Sequence, residues 1–182
     1  IYDEIRRVVR AGRYVHADET TQRVLDKEHC LKGWMWVMLS QQAIAYHYSA
    51  HRNSDTAREL LGDTTGNLTI DGYSAYTCLG EKDAKRERSG CWGHGRRKFL
   101  DAIPEGVKEH ENHEVLAMIA DLYQIESDAE ERGILGTSEH LELRQSKSAR
   151  TVKSIWKWVD ARSGKHSPKS KMAKALTYAT KQ

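Results

Sequence analysis

The sequence predicts an α/β fold. A mixed sheet, built from three antiparallel strands followed by alternating helix and strand, should precede a mainly helical C-terminal part. Segments 13–25, 33–39 and 42–48 are rich in β-branched and aromatic residues and are joined by short polar links. A helix with clear end signals and a short apolar strand follow them. From about residue 96 onward, apolar residues recur at helical spacing.

The first elements have recognisable boundaries. An apolar helical pattern at the N-terminus stops at Gly12. The three strands then predict an antiparallel meander, with Ser40-Gln41 as the turn between the second and the third. Residues 53–62 begin with a pair that can cap a helix, Asn53-Ser54, and end in Gly62, so they predict a helix.

The middle of the chain predicts a second alternation of strand and helix. Residues 67–70 read as a short buried strand that ends at Asp71. A short helix is expected over 73–79, after which the chain is polar and charged. Residues 91–95 are interpreted as a strand end or a loop, and a helix is expected from 96 to about 103, before Pro104.

The rest of the chain predicts helices. Ser167-Pro168 suits the cap and first turn of the last one, and the polar stretch 131–150 predicts helix with breaks. The apolar residues at helical spacing form three sets: Val115, Ile119 and Leu122; Val152, Ile155, Trp156 and Val159; Met172, Ala175, Leu176 and Ala179.

The element order three strands, helix, strand, helix, strand, then helices matches the ribonuclease-H-like fold. In that fold an acid on the first strand lies beside an acid at the end of the fourth. Asp18 and Asp71 occupy these positions, so we expect them close together although 53 positions separate them.

Composition narrows the class of protein. The 182 residues are 30% charged and contain no apolar run near the roughly eighteen residues needed to span a bilayer. Cysteines 30, 78 and 91 have no pairing pattern, which favours a reducing cytoplasm. Residues 147–181 contain ten Lys or Arg and one acid, a balance that suits either a polyanion or a solvated helical face.

Asp18 and Asp71 are the candidate metal ligands. Two carboxylates a few ångströms apart repel each other unless a cation lies between them, and oxygen ligands suit Mg²⁺ or Mn²⁺. The alternatives are ordinary structural roles: Asp18 as an exposed strand residue or turn cap, and Asp71 as a helix N-cap.

The nonamer Cys91-Trp92-Gly93-His94-Gly95-Arg96-Arg97-Lys98-Phe99 is the most unusual segment. Cys91 and His94 could form half of a zinc site, but no second ligand pair with suitable spacing occurs. Arg96, Arg97 and Lys98 could contact phosphate at a helix start, or form a solvated basic face.

Three ordered motifs resemble the insertion sequence 66 family of bacterial transposases. They are Val15-His16-Ala17-Asp18-Glu19-Thr20, Leu68-Thr69-Ile70-Asp71-Gly72-Tyr73-Ser74-Ala75-Tyr76 and the nonamer, in which glycines stand at 93 and 95 where the family more often has alanine. Segments 122–126 and 167–178 resemble later parts of the same domain. The resemblance runs from about Tyr14 to the end of the chain.

The resemblance implies a DDE-type transposase that cuts and transfers DNA strands during transposition of an insertion sequence. Asp18 and Asp71 match the first two acids of the metal triad, which would hold Mg²⁺ or Mn²⁺, two ions in the complete site. The third acid follows an Asp-Asn-Asn motif that is absent from this sequence. We therefore expect a fragment with little or no activity of its own.

The resemblance also implies partners and a location. His94, Arg96, Arg97 and Lys98 are expected to contact DNA, meaning the transposon ends and the target. We expect a homo-oligomer on DNA, no membrane association, and a bacterial cytoplasmic protein that joins the nucleoid when bound to DNA.

The expected domain ranges follow the same comparison. Residues 1–12 would end a preceding helical segment or linker, and 13–106 would form the ribonuclease-H-like core. Residues 107–182 would hold a helical insertion and the truncated start of the C-terminal part of the catalytic domain.

Two other functions remain open from the sequence. One is a ribonuclease-H-like nuclease or resolvase, which cuts without joining. The other is a non-catalytic, DNA-binding remnant of a transposase.

Overall fold

The computed structural model describes residues 1–26, 29–62, 64–79 and 87–181, which fall into two units. The first is Ile1–Cys91 and the second is Trp92–Lys181. Each unit has its own hydrophobic core. The domain ranges 1–12, 13–106 and 107–182 remain a prediction.

The first unit combines a sheet with helices. Its elements in chain order are α1 (Tyr2–Arg10), β1 (Tyr14–Asp26), β2 (His29–Leu39), β3 (Ile44–Ser49), α2 (Ser54–Leu61), β4 (Asn67–Ile70), a 3₁₀ helix (Ser74–Leu79) and β5 (Arg88–Gly90). This order confirms the predicted mixed α/β class. The short helix expected over 73–79 is a 3₁₀ helix.

The sheet is mixed and five-stranded, in the order β3-β2-β1-β4-β5. β1 pairs antiparallel with β2, and β2 with β3, which confirms the predicted meander. β1 and β4 are parallel, as are β4 and β5. β1 has the predicted length and is shifted by one residue, whereas β2 begins four residues earlier than predicted, at His29, which pairs with Asp26. Parallel pairing of β1 with β4 is what sets the two predicted acids side by side.

The core of the first unit lies on one face of the sheet. Along the first half of β1 the buried side chains alternate with exposed ones, as a half-covered strand requires. α1, α2 and the 3₁₀ helix cover this face with apolar residues. The buried cluster includes Val9, Val15, Ala17, Trp36, Met38, Ala57, Leu60, Leu61, Leu68, Ile70 and Tyr76.

The predicted helix after β3 is confirmed with its caps. The Asn53 side chain accepts a hydrogen bond from the backbone N–H of Thr56 at 3.0 Å, which satisfies a donor that the first turn leaves unpaired. Gly62 ends the helix with an ordinary helical φ of −54°. α2 therefore begins at a fixed point just after Arg52.

The second unit is helical in the residues that the structure describes. It contains α3 (Trp92–Asp101), α4 (Asn112–Glu131), α5 (Ser138–Leu143), a π-helical turn (Arg144–Ser148), α6 (Ala149–Arg162) and α7 (Lys171–Lys181). The predicted apolar spacing is confirmed for Val115, Ile119, Ile155, Val159, Met172 and Ala175, which are buried together. It is wrong for Trp156, which is exposed on α6. Across the described ranges, every helix is too short or too polar to cross a membrane.

The prediction of a strand end or loop over 91–95 holds for Cys91, which follows β5, and is wrong for residues 92–95. α3 begins at Trp92, so Gly93, His94 and Gly95 are helical. Glycine is a poor helix former, but burial of Phe99 in the core of the second unit and packing of α3 against α7 outweigh this local propensity.

The predicted cap of the last helix is also wrong. α7 begins at Lys171, and the Ser170 hydroxyl accepts a hydrogen bond from the backbone N–H of Ala173 at 3.1 Å. Ser167-Pro168 lies in the preceding turn. Ser167 and Ser170 both suit an N-cap, and the start of α7 at Lys171 determines that Ser170 is the residue that caps it.

Candidate functional site

The structure places Asp18 and Asp71 side by side on two neighbouring parallel strands. The last paired positions of β1 and β4 are His16 and Thr69, and each acid lies two residues further along the chain. One carboxylate oxygen of Asp18 and one of Asp71 lie within 4.8 Å of each other. The two acids therefore lie close together, as expected.

Each acid is held by a local backbone hydrogen bond. Asp18 Oδ1 accepts from the N–H of Glu19 at 2.9 Å. Asp71 Oδ1 accepts from the N–H of Tyr73 at 2.9 Å, because the chain turns into the 3₁₀ helix directly after β4. These bonds restrict the side-chain rotamers, and an ionised carboxylate has lone pairs enough to accept a further ligand beside them.

Asp18 and Glu19 point to opposite faces of the sheet, because successive residues of a strand alternate. Asp18 is on the exposed face, and the side chain of Glu19 is 0% exposed. Glu19 is enclosed by partners: Arg52 Nε donates to its Oε1 at 2.6 Å, and the Tyr76 hydroxyl donates to its Oε2. A buried carboxylate with a partner on each oxygen thus lies next to a candidate metal ligand.

Burial raises the pKa of both Glu19 and Tyr76. Loss of water around the carboxylate raises the pKa of Glu19, and the hydrogen bonds from Tyr76 and Arg52 oppose that rise. Burial also raises the pKa of Tyr76, and the neighbouring charge of Glu19 adds to the shift. Tyr76 is therefore a hydrogen-bond donor at any ordinary pH.

Arg52 connects Glu19 to Asp71. Its Nη2 lies 2.5 Å from Glu19 Oε1 and 3.6 Å from Asp71 Oδ2. The guanidinium carbon lies 3.6 Å from the centre of the Tyr73 ring and 4.9 Å from that of the Trp34 ring. The Tyr73 hydroxyl donates to the backbone carbonyl of Arg52 at 2.7 Å. Arg52 is consequently fixed at both its backbone and its charged end.

Glu19, Arg52, Tyr73 and Tyr76 have no role predicted from the sequence. A signal for Glu19 was present: it shares the period-two face of Val15 and Ala17, and an acid on a core-facing position requires a partner. Arg52 carried no such signal, because it lies in the loop before α2 and its partner Glu19 is 33 positions away.

The four predicted DNA-contacting residues lie on α3, in the second unit. His94 is half-buried, and Arg96, Arg97 and Lys98 are exposed. The ammonium of Lys98 lies 5.1 Å from the centre of the Tyr178 ring on α7. The triplet occupies the middle of α3 and not a helix start, so the prediction that its cations act beside free helical N–H groups is wrong.

The first unit is a mixed α/β domain with an acidic pair held on adjacent parallel strands, and comparison with known sequences identifies its family. The model of the family described as "Transposase IS66 family" matches residues 1–182. The chain belongs to the IS66 family of transposases.

Curated relatives of this chain occur in Sinorhizobium fredii (strain NBRC 101917 / NGR234). Uncharacterized protein y4qI is 34% identical over an alignment 194 residues long, gaps included. The alignment covers 97% of this chain and 35% of the relative. Uncharacterized protein y4jD is 28% identical over 201 residues, which cover 98% of this chain and 37% of the relative. The chain thus spans about a third of the length of these relatives.

Proposed function

We propose that this chain is part of the catalytic domain of a DDE-type transposase, in which a ribonuclease-H-like core cleaves and transfers DNA strands. The observation that carries the proposal is the acidic pair, whose oxygens lie within 4.8 Å of each other on neighbouring parallel strands of an IS66-family domain. Such a pair suits phosphoryl transfer on DNA better than a purely structural role, because two carboxylates at this distance repel each other unless a cation lies between them.

The donor set of the acidic pair fits a hard divalent cation. Both ligands are carboxylate oxygens, which Mg²⁺ and Mn²⁺ prefer. Asp18 and Asp71 would hold the metal, with the remaining ligands coming from water, DNA phosphate or a third acid. The chemistry supplied by the bound ions, two of them in the complete site, is activation of the attacking oxygen and stabilisation of the leaving oxygen.

The partner in this proposal is DNA, at the transposon ends and at the target. Arg96, Arg97 and Lys98 are exposed on α3 and suit contacts with phosphate, and His94 lies on the same helix. We further propose a homo-oligomer on DNA that works in the bacterial cytoplasm and joins the nucleoid. Family membership supports these assignments.

The proposal is tested with the gene product that carries this sequence. Asp18→Asn and Asp71→Asn should each reduce Mg²⁺-dependent cleavage and joining of element-end DNA to background, because an amide is a weaker ligand without charge. Asp55→Asn is the matched control, since Asp55 is an exposed acid on α2. Products are followed on denaturing gels.

The assay also separates the other functions. Cleaved but unjoined products in the unchanged protein would indicate a nuclease or resolvase. Binding of DNA without any cleavage would indicate a non-catalytic remnant. Full activity of Asp18→Asn would contradict the assignment of the acidic pair.

A further inference from the structure

Arg52 contacts two carboxylates of the first unit with one guanidinium group. Arg52 lies between β3 and α2, and its side chain is 27% exposed. It reaches a buried carboxylate and one of the two candidate metal ligands at the same time. We propose that Arg52 is a positioning residue that fixes the Asp71 carboxylate for divalent metal, and that Glu19 anchors it. This inference rests on the proposed metal-binding role of the acidic pair.

The two oxygens of Asp71 have different neighbours. Oδ1 accepts a hydrogen bond from the Tyr73 N–H at 2.9 Å, and Oδ2 lies 3.6 Å from Arg52 Nη2. The backbone hydrogen bond restricts the side-chain rotamer, but it leaves some freedom in the terminal torsion of the carboxylate, which is intrinsically broad. Two contacts on opposite oxygens define the plane of the carboxylate. Arg52 therefore sets the direction in which Asp71 offers its remaining lone pairs.

Arg52 is itself held in place from several sides. Glu19 accepts its Nε and Nη2 groups with one oxygen, and the second oxygen is occupied by the Tyr76 hydroxyl. The guanidinium also stacks against Tyr73, with its carbon 3.6 Å from the ring centre. Planar guanidinium groups suit such combined stacking and forked hydrogen bonding, which an ammonium cannot reproduce.

The pairing of Arg52 with Glu19 also resolves an electrostatic difficulty. A cationic side chain beside a metal site repels the metal, which opposes binding. Glu19 places a carboxylate against the same guanidinium, so the pair adds little net charge near Asp71. Arg52 can then hold Asp71 without excluding a cation. Partners of this kind around metal ligands typically change metal affinity by about 10–100-fold when they are mutated.

The test measures Mn²⁺ affinity by isothermal titration calorimetry, with the electron paramagnetic resonance signal of free Mn²⁺ as a second readout. Arg52→Lys keeps the charge but loses the fork and the stacking, so we expect affinity to fall about tenfold or more. A residue that acted through charge alone would leave the affinity of Arg52→Lys unchanged. The matched control is Arg58→Lys, because Arg58 is an exposed arginine on α2 that pairs with Asp55.

A double variant gives an independent answer. Glu19→Gln with Arg52→Gln removes one charge of each sign, so the net charge around the acidic pair stays the same. We expect it to lose Mn²⁺ affinity by at least the same factor, with helical and strand content retained by circular dichroism. It also decides the matter where Arg52→Lys fails to fold.

The outcomes distinguish this inference from the proposed function. Unchanged Mn²⁺ affinity in folded Arg52→Lys or in the double variant, together with lost binding in Asp71→Asn, would overturn the positioning role alone. Unchanged binding in Asp18→Asn and Asp71→Asn would overturn the metal site itself. Reduced affinity in Arg52→Lys and in Asp71→Asn, with Arg58→Lys unchanged, is the expected result.

Discussion

Two glycines of this chain occupy surroundings of opposite kinds. A side-chain carbon added at Gly95 on α3 would lie 3.5 Å from the Tyr178 ring, which is an ordinary separation. A carbon added at Gly66, just before β4, would lie 2.3 Å from the backbone oxygen of Arg13. The first position has space for a methyl group, and the second needs the close approach of two backbones that only glycine permits.

We therefore expect opposite effects of alanine at these positions. Gly95→Ala should raise the free energy of unfolding by up to about 1 kcal/mol, because alanine favours the helix. Gly66→Ala should lower it by about 1–3 kcal/mol, since backbone atoms must move apart. Urea denaturation followed by circular dichroism measures both. A stabilised Gly66→Ala protein, or a strongly destabilised Gly95→Ala protein, would contradict this account of the packing.

At the same scale, the candidate site was only partly predictable from sequence. Asp18 and Asp71 were identified because each lies in a motif with a strand context, and element order predicted that they meet. Strand alternation was enough to predict that Glu19 is a buried acid. It did not predict that Arg52 is the partner of Glu19. Arg52 meets Glu19 and Asp71 only through the path of the loop after β3, which no periodicity encodes.

At the scale of elements, local signals predicted most of the helices and strands and failed where packing decides. The meander β1-β2-β3 and α2 follow from β-propensity and capping residues that act within a few positions. The start of α3 was missed because two glycines oppose a helix locally, and the helix is stabilised by buried Phe99 and by α7. Capping residues at 167 and at 170 were equivalent locally.

A charged cluster joins three elements of the second unit. Glu126 on α4 accepts two hydrogen bonds from Arg144. Arg144 Nε donates to Oε1 at 2.7 Å, and Nη2 donates to Oε2. His140 on α5 places Nε2 at 3.2 Å from the same carboxylate. The hydrogen bonds from Arg144 lower the pKa of Glu126, with a smaller contribution from His140. This cluster ties the π-helical turn and α5 to the middle of α4.

The lowered pKa of Glu126 predicts the sign of an acid dependence. The ionised form is favoured in the folded chain, so its stabilisation is present above the ordinary value of 4.5 and is lost as the pH falls through the lower folded value. Glu126→Gln should reduce the free energy of unfolding at pH 7 by roughly 0.5–1 kcal/mol, a modest effect because the pair is partly exposed.

This difference should shrink toward zero in acid, below the lowered pKa of Glu126, as measured by urea denaturation of both proteins at each pH. Glu130→Gln, at an exposed acid on the same helix, should show little difference at either pH. A Glu126→Gln effect that persists unchanged in acid would show that the charge is not its cause.

At the scale of the whole molecule, positive charge is concentrated late in the chain. The net charge is +3, but residues 147–181 contain ten Lys or Arg and one acid. Those residues form α6, α7 and their flanks in the second unit. An excess of this kind supplies sequence-independent attraction to DNA that weakens with salt. A test of specific contacts must therefore separate the α3 residues from this general background.

The salt dependence of DNA binding makes that separation. The logarithm of DNA affinity falls linearly with the logarithm of salt concentration. Replacing Arg96, Arg97 and Lys98 by Gln should make this negative slope shallower by about 0.9 for each phosphate that the variant no longer neutralises. Successive residues on an α-helix point about 100° apart, so these three cannot all meet one strand and we expect a reduction of between about 0.9 and 1.8.

The control for this measurement replaces Arg7, Arg23 and Arg58, which are exposed in the first unit, and changes the net charge equally. Fluorescence anisotropy with duplex DNA over a salt series measures the slopes of both triple variants. Equal slopes would show that α3 contributes only net charge to DNA binding. A larger reduction in the α3 variant places phosphate on that helix, because equal net charge leaves only the position of the cations to explain the difference.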